Sequence, residues 1–379
     1  MKILILTVSV GGGHNSMTRS LANCVGDKAE VKVYDLFKEK DKKRGKISND
    51  FYFFMSRKMM WLSNAFYKWI FNRNIKRKKR TLFHLMTRKA KPQVLDVFNE
   101  YKPDVVFCAH TYAAQIMSEF REKGIVDNNT KIFSVISDFE VPPYLELTTN
   151  IDYLVAPAHN VDKQMFRRGF KPEQILYLGI PTQTKFSKEI DKTEARQSLG
   201  IDTNKPTVMI MNGEVGFGNP SDIIENISEI DIDFQVLVVC GRNEDLKVKL
   251  DEKVKRGEFK KTVYPYGFID NVDVLMSASD VLIGKIGGLS TSEALNKRLI
   301  LVASNKLPWQ EYDNMKYLCE SGVCDYIDKP KNARKVVEPL LKDEELRKTR
   351  LANIDKIRKP NATKDIVKAM FESVGEKFE

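Results

Sequence analysis

No stretch of this chain approaches the roughly 20 uninterrupted apolar residues that a membrane-spanning helix requires, so the sequence encodes no transmembrane anchor of that kind. Cysteine is scarce as well. Cys24, Cys108, Cys240, Cys319 and Cys324 are odd in number and show no CxxC spacing, and VVFCAH and VLVVCG set two of them in apolar runs. No disulfide framework follows from such a pattern, and the five read as reduced thiols. The opening MKILILTVSV lacks the small-residue cleavage site of a signal peptide and enters GGGH as a buried strand enters its loop. Internal repeats are absent, and IKRKKR is the sole low-complexity tract. Together these absences lead us to expect a cytoplasmic protein.

Acid is missing from one window only. Between Lys42 and Lys91 stand 16 Lys or Arg against the single acid Asp50, so that window carries +15 of a net +11 and the rest of the chain carries −4. One segment makes the protein basic.

What is present is an α/β rhythm. KILILTV, VKVYDL, PDVVFCAH, KIFSVISD and DYLVAPA are short apolar runs separated by helical patterns, the first helix expected from about Ser16. Such runs imply a parallel sheet wound with helices on both faces. TVMIMNG, FQVLVVCG, TVYPYGF, DVLIGK and LILVAS repeat the rhythm as a second sheet. At 379 residues the chain is long enough for two domains. The polar stretch between Ile180 and Lys205, with Pro181 and Pro206 about it, marks the boundary. We place the domains at 1–182 and 183–359. The tail after Pro360 has apolar residues at 366, 367, 370 and 371, a helical spacing that suits packing back on the first domain.

In open parallel sheets, ligands collect where strands end and helices begin. SVGGGHNS, NGEVGFGNP, YGFIDN and GKIGGLSTSEA occupy such places. In the second of these, Gly213 and Gly216 are candidate nucleotide-loop residues. In the last, Gly287 and Gly288 let backbone approach a ligand, and Ser290 or Thr291 is the expected N-cap of the helix that follows. A helix start of this kind binds diphosphate, and Glu293, one turn in, suits a ribose diol. An unrelated glycine cap would look alike in isolation. DID at 231–233 imitates an acidic metal motif, but its place before FQVLVV reads as a solvated turn.

GKIGGLSTSEALNKRLILV followed by LPWQEYDN, with FQVLVVCGRNEDL, YPYGFIDNVDVLMSASD, YLGIPTQTKF and the N-terminal GGGH, resembles the monogalactosyldiacylglycerol synthase and processive diacylglycerol glucosyltransferase family, relatives of the peptidoglycan N-acetylglucosaminyltransferase. The resemblance runs over nearly the whole chain. It implies a GT-B fold, two Rossmann-like domains facing across a cleft, using a UDP-sugar donor without a metal or other cofactor. It places Phe268 and Ile269 at the uracil, Gly287, Gly288, Leu289, Ser290 and Thr291 at the diphosphate, Glu293 at the ribose, and Gln310, Glu311 and Asn314 at the sugar hydroxyls.

His14, behind Gly11, Gly12 and Gly13, then becomes the candidate general base, a neutral imidazole to receive the proton of an attacking hydroxyl. A lone loop histidine is otherwise ordinarily structural. Asp138 matches the acidic residue of the family's acceptor stretch, its alternative being a turn or helix cap. VPPYLE departs from the pattern by supplying prolines where that loop carries a histidine of its own.

The basic window has an apolar face. On a helix, Phe51, Phe54, Met55, Met59, Leu62, Phe66, Trp69 and Ile70 fall at three-and-four spacing, with Trp61 and Tyr67 at the margins and Lys76, Arg77, Lys78, Lys79 and Arg80 beyond. An ordinary core helix with a charged face is one reading. A helix lying in an anionic headgroup layer accounts for aromatics and cations together. Nucleic acid would explain the charge and not the stripe, so we expect no nucleic-acid partner.

The expectation is an inverting glycosyltransferase, peripheral on the inner face of the cell membrane, moving glucose or galactose from a UDP-sugar to diacylglycerol or a related lipid. A UDP-sugar epimerase of the same shape would leave the basic helix without a role. A catalytically silent membrane-surface binder of this fold is the other alternative.

Overall fold

The computed structural model of the protein describes residues 1–8, 12–36, 88, 90–142, 145–211, 220–304 and 309–378, without the side chains of 309 and 310. It divides into two compact units, Met1–Thr184 together with Lys359–Glu379, and Lys185–Arg358. Among the described residues no helix is long and apolar enough to cross a membrane. All the residues singled out for membrane contact, Phe51 to Arg80, lie outside the described residues.

In the first unit, strands β1 (Lys2–Thr7), β2 (Glu30–Asp35), β3 (Val105–Cys108), β4 (Lys131–Val135), β5 (Tyr153–Val155) and β6 (Ile175–Leu176) form one sheet. Its spatial order is β2-β1-β3-β4-β5-β6, and every pairing is parallel. Parallel strands covered on both faces are apolar throughout, as β3 is, buried at all four positions. Helices α1 (Gly12–Val25), α2 (Lys91–Tyr101), α3 (Thr111–Glu122) and α4 (Asp162–Arg167) connect them.

The second unit repeats the plan. Strands β7 (Thr207–Met211), β8 (Gln235–Val239), β9 (Thr262–Tyr266), β10 (Val281–Gly284), β11 (Ile300–Ala303) and β12 (Cys324–Tyr326) are ordered β12-β11-β10-β7-β8-β9, again all parallel. Helices α5 (Lys192–Ser198), α6 (Ser221–Ile227), α7 (Glu244–Lys255), α8 (Val272–Ala278), α9 (Gly288–Asn296), α10 (Trp309–Glu320), α11 (Ala333–Lys342) and α12 (Glu344–Ile357) belong to it. A buried ion pair braces its lower edge. Arg196 donates to the Ala278 and Thr203 carbonyls and to Asp280, which also accepts the Thr207 amide, so the charges are fully hydrogen-bonded.

One sequence expectation changes in detail, and two others hold. The first helix starts at Gly12, four residues before Ser16, so His14 rides on its first turn and not in a loop. The Asp231–Asp233 stretch is a turn, with Asp233 well exposed and paired to Lys205. All five cysteines are free, with Cys108, Cys240 and Cys324 buried.

After α12 the chain re-enters the first unit at Lys359 and ends in α13 (Ala362–Glu372), which packs on α1. Ile366, Val367, Met370 and Phe371 are its buried face. Re-entry is close to Gly179, whose φ of +91° favours glycine; a Cβ there would lie 2.6 Å from Lys359 Cβ. Gly179→Ala combines left-handed strain with a clash against chain that is itself backbone-tethered, so we expect it to destabilise the first unit by about 2 kcal/mol or more. Thermal unfolding, with limited proteolysis near residue 359, checks this; a melting curve unchanged from wild type contradicts it.

Candidate active site

A parallel sheet that winds first one way and then the other leaves a crevice at the carboxyl ends of the two strands where the direction reverses. In the first unit those strands are β1 and β3, with β2 on one side and β4 on the other. In the second they are β7 and β10. Both crevices carry the residue types the sequence had singled out.

At the first, His14 lies one turn into α1 and its Nδ1 is 2.9 Å from the Ala109 carbonyl. A carbonyl only accepts, so the proton of the neutral ring sits on Nδ1 and the Nε2 lone pair is left bare. Burial holds the imidazole below its ordinary pKa, partly offset by that carbonyl. Beside it stands a residue that sequence reasoning missed. His110 follows β3, caps α3 by accepting the Tyr112 amide on Nδ1 at 3.1 Å, and meets the His14 ring edge to face at 4.8 Å. Burial and the neighbouring His14 push its pKa well down. The sequence holds the signal, since the histidine ends the apolar run PDVVFCAH. Asp138 is half-buried three residues past β4, the next strand. Of the glycines before His14, Gly12 and Gly13 begin α1, and Gly11 lies outside the described residues.

At the second crevice, Gly213 and Gly216 of the loop after β7 lie outside the described residues. The loop after β10 is fully placed. Its N-cap is Gly287, in extended backbone, and the first helical bond of α9 runs from the Thr291 amide to the Gly287 carbonyl. The expected cap at Ser290 or Thr291 is therefore corrected: both lie inside the helix, and the Ser290 hydroxyl donates back to the Gly287 carbonyl at 3.2 Å. The amides of Leu289 and Ser290 precede the first helical bond, and they sit at the positive end of the helix dipole.

Around this start the side chains are polar and short of partners. Thr291 is 2 % exposed and its hydroxyl has no hydrogen-bond partner among the described residues; Glu311, 4 % exposed, is in the same state at Oε2. Orphaned buried polar atoms cost about 1–3 kcal/mol each unless something satisfies them. The other carboxylate oxygen of Glu311 accepts from Lys285 Nζ at 2.8 Å, a cation the sequence reading passed over although it precedes the glycines. The nearest atoms to a Cβ on Gly287 would be Glu311 Oε1, Ser290 Oγ and Lys285 Nζ, at 3.5–3.9 Å, which is ordinary contact. Asn314 is fully buried and donates to the Ile286 carbonyl at 2.9 Å, tying α10 to the glycine loop. Gln310 begins α10, beside Glu311 in sequence.

Glu293 is buried on α9, and burial pushes its carboxyl up to about 8, with Lys185 opposing and Asp273 adding to the shift. A neutral carboxyl both donates and accepts, as a vicinal diol requires. Phe268, past β9, is 51 % exposed with the Arg242 guanidinium 4.2 Å over its ring; Ile269 beside it is half-buried. No group of three or more His, Cys, Asp or Glu side chains among the described residues is placed to hold a metal.

Comparison with known proteins matches the chain in two segments. The family model for monogalactosyldiacylglycerol (MGDG) synthase matches residues 14–182, and that for the glycosyltransferase family 28 C-terminal domain matches 207–370. The chain is 26 % identical to a processive diacylglycerol beta-glucosyltransferase of Staphylococcus epidermidis, over 99 % of this chain and 93 % of the relative. It is 28 % identical to the chloroplastic monogalactosyldiacylglycerol synthase 3 of Arabidopsis thaliana, over 97 % and 80 %. In fold it matches the crystal structure of Acinetobacter baumannii MurG with a TM-score of 0.67 at 13 % identity, covering 98 % and 99 % of the two chains. The fold is GT-B-like, two parallel six-stranded sheets with their helices.

Two predictions follow from the second unit. Gly287→Ala should leave stability within about 1 kcal/mol of wild type, because the new methyl makes only ordinary contacts; thermal melts check this. Glu293 holds its proton more tightly folded than unfolded, so its contribution is fully present below about pH 4.5 and is lost as pH rises toward about 8. Wild type should therefore lose on the order of 3 kcal/mol relative to Glu293→Gln across that window, read from denaturant melts at pH 5 and pH 8.5.

Proposed function

Since the chain belongs to the monogalactosyldiacylglycerol synthase and processive diacylglycerol glucosyltransferase family, we propose that it moves a hexose from UDP-glucose or UDP-galactose to the hydroxyl of diacylglycerol, or of a glycosylated form of it, at a membrane surface. The observation that carries this reading is the bare Nε2 of His14. A hydroxyl cannot attack an anomeric carbon while keeping its proton, and a neutral imidazole with one nitrogen anchored to the Ala109 carbonyl is positioned to take it. The oxygen bonds to the anomeric carbon as the bond from that carbon to the diphosphate oxygen breaks. The electron pair leaves with UDP and the proton stays on Nε2. Attack from the face opposite UDP inverts the anomeric centre in one displacement.

The second unit supplies the donor's chemistry in this reading. The amides at the start of α9, with Lys285 close by, face the negative charge that grows on the leaving diphosphate. Thr291 Oγ1 and Glu311 Oε2 find partners in the phosphate and sugar oxygens, and Glu293 bonds the ribose diol. Phe268 and Arg242 form the wall for the uracil. Residues 51–80 bring the protein to the anionic surface where the lipid acceptor lies.

The test is release of UDP from each sugar nucleotide, with and without diacylglycerol in anionic liposomes, followed by mass analysis of the lipid. Lipid-dependent release with a hexose-mass product is expected. His14→Ala should lower turnover by roughly 10²–10⁴-fold while UDP binding is kept; undiminished turnover overturns the assignment of the base. Because burial lowers the His14 pKa, the acidic limb of kcat/KM should fall below pH 6.5.

A further inference from the structure

The transfer just described leaves His110 without a role, although it stands at the same switch point as His14. The two rings are held in opposite tautomers by backbone groups. His14 gives its Nδ1 proton to the Ala109 carbonyl, so Nε2 is an acceptor. His110 receives the Tyr112 amide on Nδ1, so its own proton is on Nε2, which is a donor. The Tyr112 ring stacks on His110 at 4.7 Å and fixes its plane. Both histidines are half-buried. With centroids 4.8 Å apart, an oxygen bound at one ring is within reach of the other.

We propose that His110 donates its Nε2–H to a second oxygen of the acceptor, ester or hydroxyl, on the carbon next to the one bearing the reacting hydroxyl. This rests on the transfer reading and adds the acceptor's class: an alcohol with a vicinal oxygen, as in a glycerol backbone. His110 cannot replace His14 as base. To take a proton it would need Nδ1–H, which would face the Tyr112 amide and break the cap of α3. The ionisable groups that meet the His110 ring are His14 of α1 and Tyr112 of α3; burial acts on both histidines, and the Ala109 carbonyl on His14. The VPPYLE loop carries no histidine, and β3 brings a second imidazole to the crevice instead.

The experiment compares diacylglycerol with a long-chain primary alcohol, which has no vicinal oxygen, as acceptors in the same anionic vesicles. His110→Asn retains a side-chain oxygen for the Tyr112 amide, asparagine being a strong N-cap. The preference of wild type for diacylglycerol, as a ratio of kcat/KM values, should collapse roughly 10- to 100-fold in this variant, with UDP binding unchanged. A merely structural role would lower both acceptors equally and leave the ratio alone; a ratio within threefold of wild type overturns the proposal. Imidazole 15N spectra of the wild-type protein test it without a variant. They should show His14 protonated on Nδ1 and His110 on Nε2, and a shared tautomer overturns it. Full turnover in His14→Ala would instead remove the transfer reading itself, so the two failures are distinguishable.

Discussion

Each sheet reverses its winding once, and the rest of the protein's chemistry depends on where that happens. A right-handed crossover leaves every connection on a predetermined face, so β1 with β3, and β7 with β10, are the neighbours whose following segments diverge. Backbone amides and loops at the strand ends are parted there, which opens the crevice. His14 and His110 come from the two strands of one such pair. The glycine loop of α9 comes from one strand of the other. The same constraint, applied twice, yields a basic-nitrogen site in one unit and an anion site in the second.

The two sites solve opposite electrostatic problems. In the first, two imidazoles stand close together, and burial favours their neutral forms, against the pull of the Ala109 carbonyl on His14. In the second, negative charge must be welcomed without making the empty protein pay a large repulsion. Lys285 therefore rests on Glu311, Asn314 braces the loop through the Ile286 carbonyl, and Glu293 is kept protonated by burial. Polar atoms left unmatched at Thr291 and Glu311 are the stability the fold forgoes for recognition.

Apolar runs bounded by turn residues made most of this architecture readable in advance, because a strand buried on both faces has no polar position to obscure it. The runs at β1 and β7 show this well. The strands that escaped were β6, two residues of ILYLG, and β12, three residues of CDY, each the last in its sheet, too short and too exposed for a pattern to form. Glycines 287 and 288 marked the start of α9, yet the serine and threonine behind them suggested a cap one turn too late, since the helix begins at Gly288 with Gly287 as N-cap. His110 and Lys285 went unnoticed for another reason. Their roles rest on what folding sets beside them, the His14 ring and the Glu311 carboxylate, 96 and 26 positions away by sequence number.

The first unit leaves its own sequence at Thr184 and regains it at Lys359, where α13 lays Ile366, Val367, Met370 and Phe371 into place. The second unit is in this sense an insertion. During synthesis, Lys185–Arg358 emerges whole and is free to fold before the segment that finishes its host exists. The first unit must wait, its α1 face uncovered, until the last helix clears the ribosome. The order of assembly is thus the reverse of the order of the chain: the nucleotide-type unit is complete first, and the unit bearing the paired histidines closes last.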